Sequence, residues 1–203
     1  MPIRAIMVDV DGVLVRGRSD DGRHWSMSLE ADLGISADDL HREFFAVYWD
    51  EIVIGRAALA DRLRPVLRKI APHLTAEQLI EYWFSRDARL DESLLADLIQ
   101  LRSSGIQIHL ATNQEHLRAK YLLDKLGLAK HVDSIQYSAQ IGAKKPEPEF
   151  FRAVVARTGF NPSDILLIDD AARNVQGAKA MGWSAALWTN ERPLHKILSD
   201  IGG

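Results

Sequence analysis

Cysteine is absent from all 203 residues. That one absence excludes disulfide frameworks, thiolate zinc sites, iron–sulfur clusters and thiol nucleophiles. An excess of one charge is also missing: 25 basic against 28 acidic side chains leave a formal net charge of −3. Neither nucleic acid nor an anionic membrane is therefore expected as the main partner. Long apolar runs are lacking too. No stretch reaches 18 consecutive apolar residues, and the N-terminal one is interrupted by Asp9 and Asp11. No membrane span and no signal-peptide core is expected, and the expected location is the cytoplasm. Repeats, low-complexity tracts and Gly/Ser linkers are likewise not found. What remains is 47% apolar and 26% charged, the balance of a globular chain large enough for one good core with a small appended domain.

Short apolar runs punctuate the sequence at Ile3 to Val8, Ile106 to Ala111 and Ile165 to Ile168, with weaker ones at Val132 to Ile135 and Trp183 to Trp188. Each has the length of a buried strand. Between them apolar residues recur at helical spacing: Leu94, Leu95, Leu98 and Ile99; Phe150, Phe151, Val154 and Val155; Leu194, Ile197, Leu198 and Ile201. Strand–helix alternation predicts an α/β fold, a Rossmann-like doubly wound parallel sheet.

One interval is too long for a simple crossover. Asp11 and Thr112 lie 101 positions apart, where about 30 residues suffice. The excess, residues 16–88, reads as helical. Ser36 and Thr75 are N-cap signatures, each opening a helix-spaced apolar pattern. Leu59, Leu63, Val66, Leu67 and Ile70 are also helix-spaced, with Pro65 expected to kink or split that segment. The expected organisation is an α/β core of residues 1–15 and 89–203, with a helical-bundle cap of residues 16–88 inserted after the first strand.

Two acidic pairs follow predicted strands: Asp9 and Asp11 after the first, Asp169 and Asp170 after Ile165 to Ile168. Both pairs fall at the carboxyl ends of parallel strands, where open α/β sheets bind ligands. Like charges ~4 Å apart cost about 4 kcal/mol at an effective dielectric near 20, so a cation is needed. Oxygen ligands with open positions suit Mg²⁺. Thr112 and Asn113 close the strand Ile106 to Ala111 at the same edge, and Lys145, before Pro146, offers a neutralising charge. Singly, each of these is an ordinary turn, cap or loop sequence; their joint order is what points to a site.

Those residues carry a resemblance. Asp9-Val10-Asp11-Gly12-Val13-Leu14, Thr112-Asn113, Lys145-Pro146 and Asp169-Asp170 are similar to the four ordered motifs of the haloacid dehalogenase-like hydrolase superfamily. The helical insertion stands where that family places its cap of the first type. The resemblance implies that Asp9 is the nucleophile, forming an aspartyl-phosphate, and that Asp11 is the general acid and then base. It implies that Mg²⁺ is held by Asp9, the backbone carbonyl of Asp11 and an acid of the last motif, Asp170 with Asp169 beside it. Thr112 and Asn113 would bind phosphoryl oxygens, and Lys145 would steady Asp9 and the transferring group. Val13 replaces the Thr common in the first motif, and Asn174 stands where many members carry a further acid.

The expected activity is Mg²⁺-dependent hydrolysis of a small phosphorylated metabolite, such as a sugar phosphate, by a monomer or homodimer. A phosphomutase of the beta-phosphoglucomutase type is the alternative on the same scaffold. A dehalogenase is disfavoured because Asp11 is present, and a non-catalytic binding protein because the reacting residues are all there. Within the insertion His24, Trp25, Arg56, Trp83 and Arg86 are candidate substrate contacts. The two tryptophans are first read as insertion core and the arginines as solvated. Arg62, Arg64, Arg68 and Lys69 form a basic run read as solvent-facing.

Overall fold

The computed structural model describes residues 3–202. Five parallel strands form one sheet in the order β3-β2-β1-β4-β5, with β1 Ala5–Val8, β2 Gln107–Thr112, β3 Ser134–Tyr137, β4 Ile165–Asp169 and β5 Ser184–Leu187. β1 is central and wholly buried, and its apolar run reflects burial on both faces. Side chains alternate across the sheet. Ile6, Val8, Ile108, Leu110, Leu166 and Ile168 face one core; Ala5, Met7, Ala111, Ile165 and Leu167 face the other.

Helices cover both faces. α6 Glu92–Ser103, α7 His116–Asp124 and α11 Leu194–Gly202 bring Leu94, Leu98, Leu122, Leu194 and Ile197 to the first core. α9 Pro148–Thr158 and α10 Ala172–Ala180 bring Phe150, Phe151, Val154, Val175 and Ala178 to the second. The doubly wound sheet follows from these two apolar layers. Strand order reverses at β1, which pairs with β2 on one side and β4 on the other. The crevice at the carboxyl ends of β1 and β4 is thus the topological switch point.

The chain between β1 and β2 folds around a separate apolar cluster that includes Trp25, Phe44, Ile52, Leu63, Leu79 and Phe84. Its helices are α1 Leu29–Leu33, α2 Ala37–Leu40, α3 Ala46–Val53, α4 Leu59–Ile70 and α5 Ala76–Arg86. A π turn, His41–Phe45, joins α2 to α3. Thr75 and Gln78 form a reciprocal capping box at α5, and the Ser36 hydroxyl accepts from the Asp39 N–H. The two connectors to this insertion lie side by side: Arg16 N–H donates to Arg89 O, and Ala88 and Arg89 N–H donate to Gly17 O. A short α8, Ser138–Ile141, meets the insertion from the core.

Three expectations need correction. Pro65 does not split its segment, since α4 runs unbroken through it; the buried face of Leu59, Leu63, Val66 and Leu67 outweighs one missing backbone hydrogen bond. The edge strand β3 begins at Ser134, two residues after its expected start, because Asp133 is used at the strand entry. Its carboxylate accepts from Ile108 N–H at 2.8 Å, while its own N–H donates to Ile108 O. β5 omits both flanking tryptophans, Trp183 and Trp188, which are buried beside it. Among the described residues no helix is long and apolar enough to cross a membrane.

Candidate active site

Asp9 directly follows β1, and its N–H donates to Ile168 O of β4. The backbone then folds back on itself: Val10 O accepts from the N–H groups of Val13, Leu14 and Val15. This loop turns Asp9 and Asp11 toward the rim. Gly12 sits in it with φ of +85°, and a Cβ there would lie 2.1 Å from Asp170 Oδ2. Glycine is required both by the left-handed backbone and by the close approach of that carboxylate.

Asp9, Asp169 and Asp170 each offer a carboxylate oxygen, all within 4.8 Å of one another. The buried ammonium of Lys145 joins two of them, 3.1 Å from Asp9 Oδ1 and 2.5 Å from Asp169 Oδ2. Asn113 fixes the Lys145 backbone from both sides. Lys145 N–H donates to Asn113 Oδ1 at 2.8 Å, and Asn113 Nδ2 donates to Lys145 O at 3.0 Å. Asp169 is further occupied by Ala171 N–H and by Asn174 Nδ2, 3.0 and 3.1 Å from its two oxygens. Asp170 lies exposed, with no side-chain hydrogen bond among the described residues.

The charges are unbalanced, with three carboxylates on one ammonium. Burial pushes the Asp9 carboxyl up to about 7; Lys145 opposes this, while Asp169 and Asp11 add to it. Asp170, at the solvent rim, is raised by partial desolvation of its carboxylate and then by Asp169. Burial pulls the Lys145 ammonium down, but Asp9 and Asp169 outweigh that and hold it above its ordinary value. Three hard oxygen donors with a surplus of negative charge fit a divalent cation such as Mg²⁺.

Asp11 points away from that cluster. Gln114 Nε2 donates to its Oδ2 at 2.5 Å, and the Arg118 guanidinium lies 3.7 Å from its Oδ1. Arg118 is 1% exposed. It also pairs with Asp87 at 3.5 Å and donates to the backbone carbonyls of Phe84 and Asp87. Burial raises the Asp87 carboxyl, with Asp11 adding to the shift. Asp11 is therefore an exposed acid oriented by a buried network, beside rather than within the cation cluster.

The structure brings Asp9, Asp169, Asp170 and Lys145 together, with Asp11 at the same rim. Buried Thr112 ends β2, and Asn113 spends its side chain on Lys145. Sequence reasoning passed over Gln114, Arg118, Asp87 and the Asn174 bonds to Asp169. The signal for the first two was present: Gln114 directly follows Thr112-Asn113, and Arg118 lies four residues further on, in the first turn of α7.

A parallel sheet that gathers carboxylates and one lysine at its switch point has the layout of an α/β enzyme site. The chain belongs to the haloacid dehalogenase-like hydrolases: the model of that family matches residues 3–182. It is 33% identical over 198 residues to the phosphoglycolate phosphatase of Salmonella choleraesuis, covering 89% of this chain and 79% of that protein. It is 34% identical over 109 residues to flavin mononucleotide hydrolase 1 of Arabidopsis thaliana, a match over 53% of this chain and 44% of that protein. This chain thus spans less than half of the plant relative. A HAD family enzyme of Bacteroides thetaiotaomicron, solved in complex with magnesium and inorganic phosphate, shares the fold. Its TM-score is 0.80 over 96% of this chain and 98% of that one, at 19% identity.

Proposed function

We propose that this protein is a Mg²⁺-dependent phosphatase that hydrolyses a small phosphorylated metabolite through an aspartyl-phosphate on Asp9. The observation that carries the reading is the convergence of the Asp9, Asp169 and Asp170 carboxylates within 4.8 Å, with Lys145 Nζ 3.1 Å from Asp9. The phosphatase relatives and the family membership support it. Asp9, Asp170 and the backbone carbonyl of Asp11 would hold the Mg²⁺, while Asp169 is largely engaged by Lys145 and Asn174. When bound, the ion supplies positive charge to the carboxylates and to the phosphoryl oxygens.

Asp9 Oδ1 accepts from Val10 N–H and faces Lys145, so Oδ2 is the oxygen left to attack phosphorus. The new Oδ2–P bond forms as the ester P–O bond breaks. Asp11, in its acid form, gives its proton to the departing alkoxide. It then takes a proton from water, whose oxygen attacks the phosphorus of the aspartyl-phosphate, and phosphate leaves with the Asp9 carboxylate restored. Lys145 neutralises Asp9 and the charge that builds on the phosphoryl oxygens. Thr112 and the Asn113 backbone would receive those oxygens at the end of β2. An acid held beside the nucleophile serves an alkoxide leaving group, which needs a proton; a halide does not, so Asp11 favours phosphate-ester over carbon–halogen chemistry.

The insertion would act as the cap, covering the rim and contacting the alcohol part of the ester. Phosphate release from a panel of phosphorylated metabolites, with Mg²⁺ and with EDTA, tests the assignment. Metal-dependent release that Asp9→Asn abolishes is expected. No release from any ester would overturn it.

A further inference from the structure

The cavity beside Asp11 has a composition that its catalytic rim does not explain. It measures about 690 Å³ and runs from Asp11 and Gly12 into the insertion, within the usual range of pockets that enclose a ligand. Its far wall is made of Trp25, Phe45, Trp49 and Trp83. Trp83 is the hub of these rings: it stacks on Trp25 with centroids 5.2 Å apart, meets Phe45 edge-on at 5.4 Å, and lies 5.6 Å from Trp49. Phe45, Trp49 and Trp83 are only half-buried, so part of each ring is still available to a ligand.

Of the polar side chains on the same walls three are spent, while His41 is exposed with no side-chain partner among the described residues. Arg16 is paired with Asp91, His24 with Ser26, and Asp87 with Arg118. A polyol needs several donors and acceptors to replace its lost water, and this wall offers few. A flat ring system needs π and apolar surface, which this wall supplies.

Resting on the phosphatase reading above, we infer that the alcohol part of the substrate carries a planar heteroaromatic ring, which lodges against Phe45, Trp49 and Trp83 while its phosphate lies at Asp9. Compact hydroxy-acid and simple sugar phosphates are then poor substrates, because they leave the aromatic wall unfilled.

Ribose 5-phosphate, adenosine 5′-monophosphate and riboflavin 5′-phosphate all release phosphate from a primary alkyl oxygen, so the bond broken is matched; the second adds a ring to the ribose and the third carries its ring on an open ribityl chain. With Mg²⁺, kcat/KM for at least one ring-bearing ester should exceed that for ribose 5-phosphate by about tenfold or more, mainly through KM. Trp49→Ala should reduce that ratio at least about fivefold, and Trp49→Phe should restore most of it. Equal or better hydrolysis of ribose 5-phosphate overturns the inference and leaves the phosphatase reading standing. If none of the three is hydrolysed, calorimetry of the unphosphorylated alcohols decides the wall's role apart from turnover. Adenosine or riboflavin binding the wild-type protein at least about tenfold more tightly than ribose supports it, and no difference overturns it.

Discussion

Asp9 is subject to two opposed demands. As the proposed nucleophile it must be ionised, yet burial places its carboxyl near 7 rather than 3.8. Between those two values the folded chain holds a proton that the unfolded chain has released. The associated stability is fully present below pH ~4 and is lost as pH rises toward 7. Asn carries no such charge. In EDTA at pH 8, Asp9→Asn should therefore melt a few degrees above the parent, as expected for about 1–2 kcal/mol in a chain of this size. The advantage should shrink toward nothing by pH 4.5, while phosphate release falls by about 10³-fold or more. Calorimetric scans at the two pH values check the sign. Lys145 shows the converse. Its ammonium is the one positive charge between Asp9 and Asp169, so Lys145→Met strands two buried acids. Urea denaturation at pH 7.5 should show a loss of about 3 kcal/mol, with turnover lost as well.

At the scale of elements, the loop after β1 and the start of α10 are built to touch. Gly12 makes the contact possible, because any side chain there meets the Asp170 carboxylate. Gly12→Ala should displace Asp170 and raise the Mg²⁺ concentration for half-maximal activity by about tenfold or more. The backbone strain should lower stability by about 2 kcal/mol. A Mg²⁺ titration of activity beside a thermal melt reads both. Much of this element-scale design is legible in the sequence, since β1, β2 and β4 are apolar runs that end in polar residues. The acids then fall at one edge by topology alone. The limits of β3 were not legible. Its register follows from Asp133 bonding to Ile108, a contact between segments 25 residues apart. That α4 is not split at Pro65 has a related reason: local propensity disfavours proline there, but the buried face of the helix decides. The aromatic rings of the insertion were visible as residues, while their shared orientation toward one cavity depends on how α3 and α5 pack. The resemblance marks Asn113 only as a phosphoryl-oxygen ligand, whereas the reach of its side chain to the Lys145 backbone needs the fold.

At the scale of the whole molecule, insertion and core are joined at two separate places. At one, the Ser138 hydroxyl of α8 donates to Val53 O at the end of α3, at 2.5 Å, and a Cβ on Gly55 would lie 2.3 Å from Ala139 O. At the other, Arg118 of α7 reaches both Asp11 in the core loop and the end of α5 in the insertion. The second junction connects the acid of the proposed reaction to the element that carries Trp83. Replacing Arg118 should therefore affect stability and catalysis together, but at one end only. Arg118→Met leaves two carbonyls and the Asp87 carboxylate without their donor, so urea denaturation should show a loss of about 3 kcal/mol. Hydrogen exchange should quicken over residues 84–91 and stay near the parent rate at α8. Phosphate release should fall mainly in kcat, since Asp11 loses its orientation while the phosphate-binding groups are untouched. Arg118→Lys keeps the charge but cannot span the acid and the two carbonyls at once, so it should recover part of the stability and little of kcat. Full recovery of kcat in the lysine variant would show that only the charge at position 118 matters, and that the guanidinium does not couple the two parts of the molecule.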